Sequence, residues 1–293
     1  MFAIPGDGCF RLKNQGPFIV FALLSTGAHA QWLNFKTPGT PRTPAGQPDL
    51  AAPAPRALDG KPDLSGVWMH ELTSVAEMKR LYGQRIDEAI AVDVPGMEIG
   101  TQHKYAFNIL LDFPPKESPM RPAAAEAMRH LSATNDPAKV CTEIGGIPLI
   151  DLLSEPIKIV QSPRLTIMLY EVGNVHRQIY TDGRNLPTEF DLPAFLGYSI
   201  GRWEGDTLVV ETAGFNDRTA LDLMGHPHSD ALRVVERYRR RDFGRMDVEM
   251  TFDDPKMYTK PFTIKIPHNL LADADIFESF CENEKDSVHL GKQ

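Results

Sequence analysis

The stretch 198–212, YSIGRWEGDTLVVET, contains the clearest fold signal in this chain of 293 residues. Apolar and β-branched residues on both sides of EGD (204–206) are typical of two short strands joined by a tight hairpin turn. The stretch 232–252 has the same pattern, with DFG (242–244) as its turn. Two hairpins in close succession indicate an antiparallel β-sheet.

Runs of the same kind extend on both sides of these hairpins and are separated by turn residues. Further strands are predicted at Ile157–Gln161, Leu165–Glu171, Val175–Thr181, Phe262–Ile266 and Ile276–Cys281. A first strand begins with Gly66-Val67-Trp68, an entrance pattern found in many lipocalin-like barrels. Because closure removes exposed sheet edges, the fold is predicted to be mainly β, either an antiparallel lipocalin-like (calycin-type) barrel or a curved sandwich.

A small helical insertion is predicted at about 74–134, between the first strand and the main β region. Ser74 is a candidate N-cap, Glu77 follows three residues later, and apolar residues recur at helical spacing up to Val92. The alanine-rich stretch 119–131 predicts a second helix. The insertion and the β region together are predicted to form one domain, 63–293.

The N-terminus has the features of an export signal. Arg11 and Lys13 precede an apolar run at 17–28, and Ala28-His29-Ala30 offers the small residues that a signal peptidase reads. The apolar run is too short to cross a hydrocarbon core of roughly 30 Å as a helix. We therefore predict a signal peptide at 1–30, a secreted or periplasmic location, and no membrane span.

Proline dominates the segment that follows, with seven prolines between Gln31 and Pro62. Such a segment favours extended conformations, so 31–62 is predicted to be a linker. Removal of the signal peptide leaves Cys141 and Cys281, which an oxidising compartment would allow to form a disulfide. Two separate thiols are the alternative, because the sequence does not show whether the two Cβ atoms meet.

Composition excludes several classes of function. There are 31 basic and 39 acidic residues, a formal charge of -8, so a basic face for nucleic acid is not predicted. The chain contains no Rossmann glycine fingerprint, P-loop, Gly-x-Ser-x-Gly elbow or His-Glu-x-x-His motif. A small molecule is the predicted partner.

The densest polar cluster lies between Asn216 and Glu236 and includes Asp222. In His226-Pro227-His228 the proline stiffens the segment and disfavours helical geometry before it. Strand alternation places Glu236 on the face of three apolar residues, where a carboxylate needs a partner or its pKa rises. A salt bridge to a neighbouring arginine is the structural alternative.

Three roles are open for these residues. His226, His228 and Glu236 match the three protein ligands of a catalytic zinc, or of another divalent metal, with one open position. Without a metal, the same side chains would act as general base and general acid. The third role is structural, or contact with a ligand.

The same alternation argument selects further candidates on other strands. Glu171 shares a face with Leu165, Ile167 and Leu169, and Arg177 shares one with Val175 and Ile179. If these faces point inward, Glu171 and Arg177 form an interior ion pair that orients a substrate oxygen or holds the register. Tyr198 and Trp203 are candidate ligand contacts, with core packing as the alternative for both.

Several stretches resemble a widespread family of secreted bacterial proteins of uncharacterised function. Together they cover a little under half of the chain and include RQIYTDGRNLP (177–187), GYSIGRWEGDTLVVETAGFNDRTALD (197–222), GHPHS (225–229) and ERYRRRDFG (236–244). The resemblance implies export and brings no established activity. The chain departs from the family at Ala220, where a tryptophan is usual.

We therefore predict an exported enzyme that acts on a small organic molecule by hydrolysis, elimination or isomerisation. His226 or His228 would serve as base or metal ligand, Glu236 as its partner, and Arg177 as a clamp for an oxyanion or carboxylate. A non-catalytic carrier of an apolar ligand and a structural module of the cell envelope are the alternatives. The substrate, the reaction type and the oligomeric state are left open.

Overall fold

The computed structural model describes residues 36–83, 102–134, 146–153 and 155–277. Ten strands in these ranges form one sheet. They are β1 (Gly66–His70), β2 (Ile157–Gln161), β3 (Leu165–Tyr170), β4 (His176–Tyr180), β5 (Tyr198–Glu204), β6 (Thr207–Ala213), β7 (Arg233–Arg240), β8 (Arg245–Asp253), β9 (Phe262–Lys265) and β10 (His268–Leu270).

The sheet closes into a nine-stranded barrel, which confirms the predicted mainly β fold. Strands β1 to β8 pair in chain order, and β10 pairs with both β8 and β1 to complete the ring. Strand β9 pairs with the later part of β8. The strand β10 was not predicted, because its three residues follow Pro267 in too short a run to give an alternating pattern.

One pair of strands departs from the predicted antiparallel arrangement. Strands β4 and β5 run parallel, with Ile179 opposite Ser199. A parallel pair needs a connection that returns along the full length of the barrel, and residues 181–197 supply it. All other neighbouring strands in the ring are antiparallel.

Short helices accompany the barrel: α1 (Val75–Tyr82), α2 (Lys104–Phe107), α3 (Pro122–Thr134) and α4 (Leu149–Leu152). Ser74 caps α1 as predicted, because its side chain accepts a hydrogen bond from the backbone N–H of Glu77 at 3.3 Å. The helix ends at Gly83 (φ 58°), and the rest of the predicted helical stretch, 84–92, lies outside the described residues. No helix within the described ranges is both long enough and apolar enough to cross a membrane.

The two ends of the barrel differ. At the turn end, tight turns at 162–164, 205–206 and 241–244 join consecutive strands. At the loop end, α4 leads directly into β2, and the long segment 214–232 connects β6 to β7. The loop end is therefore the more elaborate of the two, and its helices and segments cover the interior.

A buried tryptophan and an arginine close the turn end. Trp68 is fully buried and its Nε1 donates to the carbonyl of Leu64 at 2.9 Å. The guanidinium of Arg240 lies 4.8 Å from the Trp68 ring. It donates to backbone carbonyls on both sides of the barrel seam, those of Asp63, Ser65, Asp242 and Phe243. Among side chains, only the planar guanidinium of arginine offers five N–H donors in a fixed arrangement.

We expect Arg240→Lys to lower the free energy of unfolding by about 2–3 kcal/mol, because a lysine cannot replace several charge-assisted hydrogen bonds at once. Arg239→Lys is the matched control, since Arg239 is the exposed neighbour on the same strand. Urea unfolding measures both. Equal stability of the two variants would contradict this role for Arg240.

Residues 36–62 of the proline-rich segment contain two copies of one turn. PRTPAGQPDL (41–50) and PRALDGKPDL (55–64) share the pattern Pro-Arg-x-x-x-Gly-x-Pro-Asp-Leu. The glycine of each copy has a positive φ, 81° for Gly46 and 79° for Gly60. A backbone bond from the aspartate N–H to the carbonyl of the first proline closes each turn, at 2.8 Å in the first copy and 2.9 Å in the second.

We call residues 36–62 the proline strap, because they lie across the turn end of the barrel. The arginine of each copy forms a two-pronged ion pair with the barrel, Arg42 with Asp273 and Arg56 with Asp206. Backbone bonds from Phe243 and Gly244 to the strap add to this attachment. The segment is thus held by its repeated turns, in contrast to the extended linker predicted from its composition.

Candidate functional site

A buried ion pair occupies the interior of the barrel. Arg177 on β4 and Glu236 on β7 both point inward and are 3% and 0% exposed. Nη1 of Arg177 donates to Oε1 of Glu236 at 2.9 Å, and Nη2 donates to Oε2. Glu236 therefore takes the salt bridge to an arginine that was the structural alternative in the sequence, and Arg177 is that arginine.

Neighbouring hydroxyl groups complete the hydrogen bonds of this pair. Arg177 donates from Nε to Oγ of Ser199 at 3.0 Å and from Nη2 to Oγ1 of Thr212 at 2.7 Å. The hydroxyl of Tyr238 donates to Oε1 of Glu236 at 2.6 Å. These contacts compensate for the removal of both charges from water, which is costly without such partners.

A second carboxyl group enters the interior from α4. Asp151 is 3% exposed, and within the described ranges its Oδ2 has no hydrogen-bond partner. Burial, followed by the negative charge of Glu236, raises the pKa of Asp151 to about 7. This carboxyl therefore exchanges its proton near neutral pH, unlike an ordinary aspartate.

Tyr170 lies beside Asp151 and Arg177. Its hydroxyl contacts Sδ of Met168 at 3.5 Å, and sulfur is a weak acceptor. Burial raises the pKa of Tyr170 well above its usual value, so the phenol keeps its proton. A proton-exchanging carboxyl and a phenol O–H thus adjoin one another inside the barrel.

We call Asp151, Tyr170, Arg177, Glu236 and Tyr238 the interior cluster. Sequence reasoning found Arg177 and Glu236. It missed Asp151, although an aspartate within the apolar run GIPLIDLL (146–153) was a usable signal. It missed Tyr170 because it considered only the other face of β3, that of Leu165, Ile167 and Leu169, as the inward one.

The Glu171–Arg177 ion pair, expected if both faces pointed inward, does not form, because only the face of Arg177 does so. On β3 the buried residues are Thr166, Met168 and Tyr170, so the alternate set, which includes Leu165, faces outward. Both faces of this strand carry apolar residues, and the pattern alone therefore did not identify the core face. Glu171 lies beyond the strand, where its Oε2 accepts from the backbone N–H of Phe277 at 2.9 Å.

His226 is oriented by a carboxylate, but this carboxylate is Asp222 and not Glu236. Nδ1 of His226 lies 2.5 Å from Oδ2 of Asp222. Asp222 also accepts the backbone N–H of Ile109 at 2.6 Å and that of His226 at 3.1 Å. The His226 side chain is 8% exposed, and no hydrogen bond to its Nε2 occurs among the described residues. Asp222 and His226 therefore form an oriented pair with one free ring nitrogen.

His228 has a different environment, in which both ring nitrogens have partners. Nε2 lies 2.7 Å from Oγ1 of Thr219, and Nδ1 lies 3.2 Å from the carbonyl of Ser229. Burial lowers the pKa of this imidazole. In the part of the chain that the structure describes, no three His, Cys, Asp or Glu side chains form a group that could hold a metal ion. His226, His228 and Glu236 therefore do not assemble the predicted three-ligand set.

The two aromatic candidates do not belong to the interior cluster. Tyr198 stacks on Tyr180 with ring centroids 5.3 Å apart and accepts a hydrogen bond from Nη1 of Arg184 at 2.9 Å, on an exposed part of the surface. Trp203 is partly buried and packs against the hydrophobic core near the turn end. Cys141, Cys281 and the signal peptide lie outside the described residues, so the disulfide and the cleavage site stay predictions.

Three further histidines meet near the loop end, and sequence reasoning did not select them because they are far apart in the chain. His70 on β1 lies opposite His268 on β10, and the His103 ring lies edge-on to His70 with centroids 5.6 Å apart. Burial lowers the pKa of all three, to about 3 for His103 and about 4 for His268. We call these residues the histidine cluster.

A half-open cavity of about 620 Å³ lies between the proline strap and the outside of β1 and β2. Its lining is mainly apolar and includes Val67, Val160 and Leu271. None of the residues of the interior cluster lines it.

Comparison of the chain with models of protein families, with curated proteins and with solved structures finds no match. The resemblance to secreted bacterial proteins therefore stays a prediction.

Proposed function

We propose that the protein is an exported enzyme that uses the interior cluster for acid–base chemistry on a small organic molecule. The observation that carries this proposal is the carboxyl of Asp151. It is buried, has one oxygen without a hydrogen-bond partner among the residues that the structure describes, and has a pKa of about 7 beside a buried ion pair. Strongly perturbed ionisable groups within a protein interior are typical of catalytic sites.

Each member of the cluster has a distinct role in this proposal. Asp151 takes or gives the proton, since a group that titrates near the working pH is an efficient general acid or base. The O–H of Tyr170 donates to the substrate oxygen on which charge develops. Arg177 and Glu236 neutralise one another and hold Tyr238 in place. A reaction at a carbonyl or hydroxyl oxygen fits these groups, as in hydrolysis, elimination or isomerisation.

The same observations favour an enzyme over a carrier of an apolar ligand. The inward side chains of the barrel strands pack into one continuous core, which includes Met168, Val210 and Met250. The groups that remain without strong partners are polar. A ligand that satisfies Asp151 and Tyr170 must therefore supply hydrogen-bonding atoms.

The test is a turnover screen on the purified mature protein with nitrophenyl esters, lactones and enolisable ketones, followed by proton NMR in D₂O. We expect Asp151→Asn to lower the rate with any accepted compound by about 100-fold or more, because a side-chain amide does not titrate near neutral pH and cannot act as a general acid or base. Asp230→Asn is the matched control, since Asp230 forms an exposed ion pair with Lys256. Equal rates in the wild type and Asp151→Asn would contradict the proposal.

The pair of Asp222 and His226 is a second candidate for the same chemistry. It is favoured by the 2.5 Å contact that orients the ring and by the free Nε2. His226→Gln in the same screen distinguishes the two sites. Loss of turnover in His226→Gln together with full turnover in Asp151→Asn would assign the reaction to Asp222 and His226 instead of Asp151.

A further inference from the structure

The cavity beneath the proline strap has the size and lining of a small-molecule site. Its volume of about 620 Å³ lies within the range of roughly 300–1,000 Å³ that is typical of ligand pockets. Val67 on β1, Val160 on β2 and Leu271 after β10 supply apolar lining, and Val160 is 43% exposed. A ligand that covers these side chains removes apolar surface from water, and this burial favours binding.

Two segments that border the cavity are tied to one another. The backbone N–H of Thr37 in the proline strap donates to Oδ1 of Asp273 at 2.9 Å, and Arg42 forms its ion pair with the same carboxylate. The neighbours of these residues, including Pro38 and Ala274, line the cavity. The shape of the cavity therefore exists before a ligand binds, which reduces the entropy that binding costs.

Arg240 brings a buried positive charge to this cavity. It is 5% exposed and donates to backbone carbonyls alone, and among the described residues no carboxylate forms an ion pair with it. Its Nη2 forms one hydrogen bond, so one of the two N–H groups of this nitrogen has no acceptor within the described ranges. Burial lowers the pKa of Arg240 to about 10, because the charge has lost its hydration without gaining a paired anion.

The other charged residues of the lining leave this charge uncompensated. Lys158 and Asp275 neutralise one another, with Nζ 2.7 Å from Oδ1, and both are partly exposed. Asp63 attracts the guanidinium of Arg240, but less strongly than burial disfavours the charge. Asp63 is itself partly exposed, so solvent screens its carboxylate. The cavity therefore favours a ligand that carries a negative charge.

We propose that this cavity binds a small amphiphilic carboxylate, such as a medium-chain fatty acid, with its apolar chain against the valine and leucine side chains and its carboxylate towards Arg240. The carboxylate accepts from the second N–H of Nη2 and supplies the missing negative charge, in a hydrogen bond of the strong, charge-assisted kind. None of the lining residues belongs to the interior cluster. The site is therefore independent of the proposed function.

The test is titration of the purified mature protein with sodium decanoate and, separately, with decanol, at pH 7.5 and below the concentration at which micelles form. The two probes share one alkyl chain and differ in the head group. Methyl NMR follows Val67, Val160 and Leu271 in the cavity, with Val210 and Val248 of the buried core as the reference. We expect saturable shifts of the cavity methyls and a dissociation constant at least about tenfold lower for decanoate than for decanol, because only the carboxylate pairs with the buried cation.

Two variants locate the chain and the head group of the ligand. We expect Val160→Asp to weaken decanoate binding at least about tenfold, because the new carboxylate repels that of the ligand and hydrates the apolar wall. Val75→Asp is the matched control, since Val75 is 39% exposed and does not line the cavity. In Lys158→Gln the preference for decanoate over decanol should persist, and its loss would overturn the role of Arg240. The core methyls report whether each variant is folded.

Three further results would overturn the site. Equal affinity for decanoate and decanol would mean that the cavity takes a neutral apolar molecule. Unchanged cavity methyls at the highest decanoate concentration would mean that it takes neither probe. Shifts of these methyls that grow with protein concentration, without any probe, would assign the cavity to a second copy of the chain. Asp151→Asn should bind decanoate like the wild type, so that a failure of the proposed function and a failure of this site are separate results.

Discussion

Asp151→Asn is expected to stabilise the folded protein at pH 8 by up to about 4 kcal/mol and to have no such effect at pH 4. The reason is the raised pKa of Asp151, about 7 in the folded state against 3.8 for an ordinary aspartate. One pKa unit corresponds to about 1.4 kcal/mol. An amide left without a partner in the interior would reduce the gain.

The sign of this effect follows from the direction of the shift. The folded state holds the proton of Asp151 more tightly than the unfolded state does. The contribution of this group to stability is therefore complete below about pH 4 and is lost as the pH rises to about 7. Removing the ionisable group removes that loss. Urea unfolding at pH 4, 6 and 8 measures the difference, and Asp230→Asn should follow the wild type at every pH.

If the difference in unfolding free energy between Asp151→Asn and the wild type is the same at pH 4, 6 and 8, the carboxyl of Asp151 is hydrated in the folded protein. The pKa can also be read directly, from the chemical shift of the Asp151 carboxyl carbon between pH 3 and pH 9. A midpoint near 4 would remove the physical basis of the proposed function. A midpoint near 7 would support Asp151 as the proton-exchanging group.

Arg177→Met is expected to destabilise the protein by about 3–5 kcal/mol, because it leaves the carboxylate of Glu236 buried without its cation. Adding Glu236→Leu to this variant should restore much of the lost stability, since an apolar pair avoids the desolvation of both charges. The expected order of stability is thus wild type, double variant, Arg177→Met. The double variant is also expected to lack turnover.

Arg237→Met is the matched control for this experiment. Arg237 is the neighbour of Glu236 in β7, faces outward, and pairs with Glu204 on the surface. Exposed ion pairs contribute little to folding, so this variant should unfold close to the wild-type midpoint. If Arg177→Met is no less stable than Arg237→Met, the interior pair does not hold the barrel together.

The strands could be predicted from the sequence because alternation and turn residues are local signals. The hairpins at 198–213 and 233–253 were found within one or two residues. Closure was harder to detect, because β10 is only three residues long and pairs with β1, about 200 positions earlier. The parallel pair of β4 and β5 was missed for a related reason, since the direction of a strand depends on where a long connection returns.

The site was predicted only in part, because most of the contacts that form it join residues that are far apart in the sequence. Glu236 was recognised as an inward carboxylate because strand alternation extends over neighbouring residues. Its arginine partner was not identified, since Arg177 is 59 positions away and was considered with Glu171, which lies nearer in the sequence. Asp151 and the histidine cluster depend on contacts between α4, β1, α2 and β10. No local pattern brings those elements together.

The repeated turns of the proline strap have a consequence for how the protein is made. The strap and β1 lie at the start of the domain, yet Arg42 and β1 find their partners at Asp273 and in β10. Nearly the whole chain must therefore be synthesised before the barrel can close. Until then, β1 and β8 each have an edge whose backbone groups are unpaired. A chain that ends before residue 268 should therefore remain an open sheet with unpaired strand edges. Such a sheet is prone to aggregate and requires a chaperone.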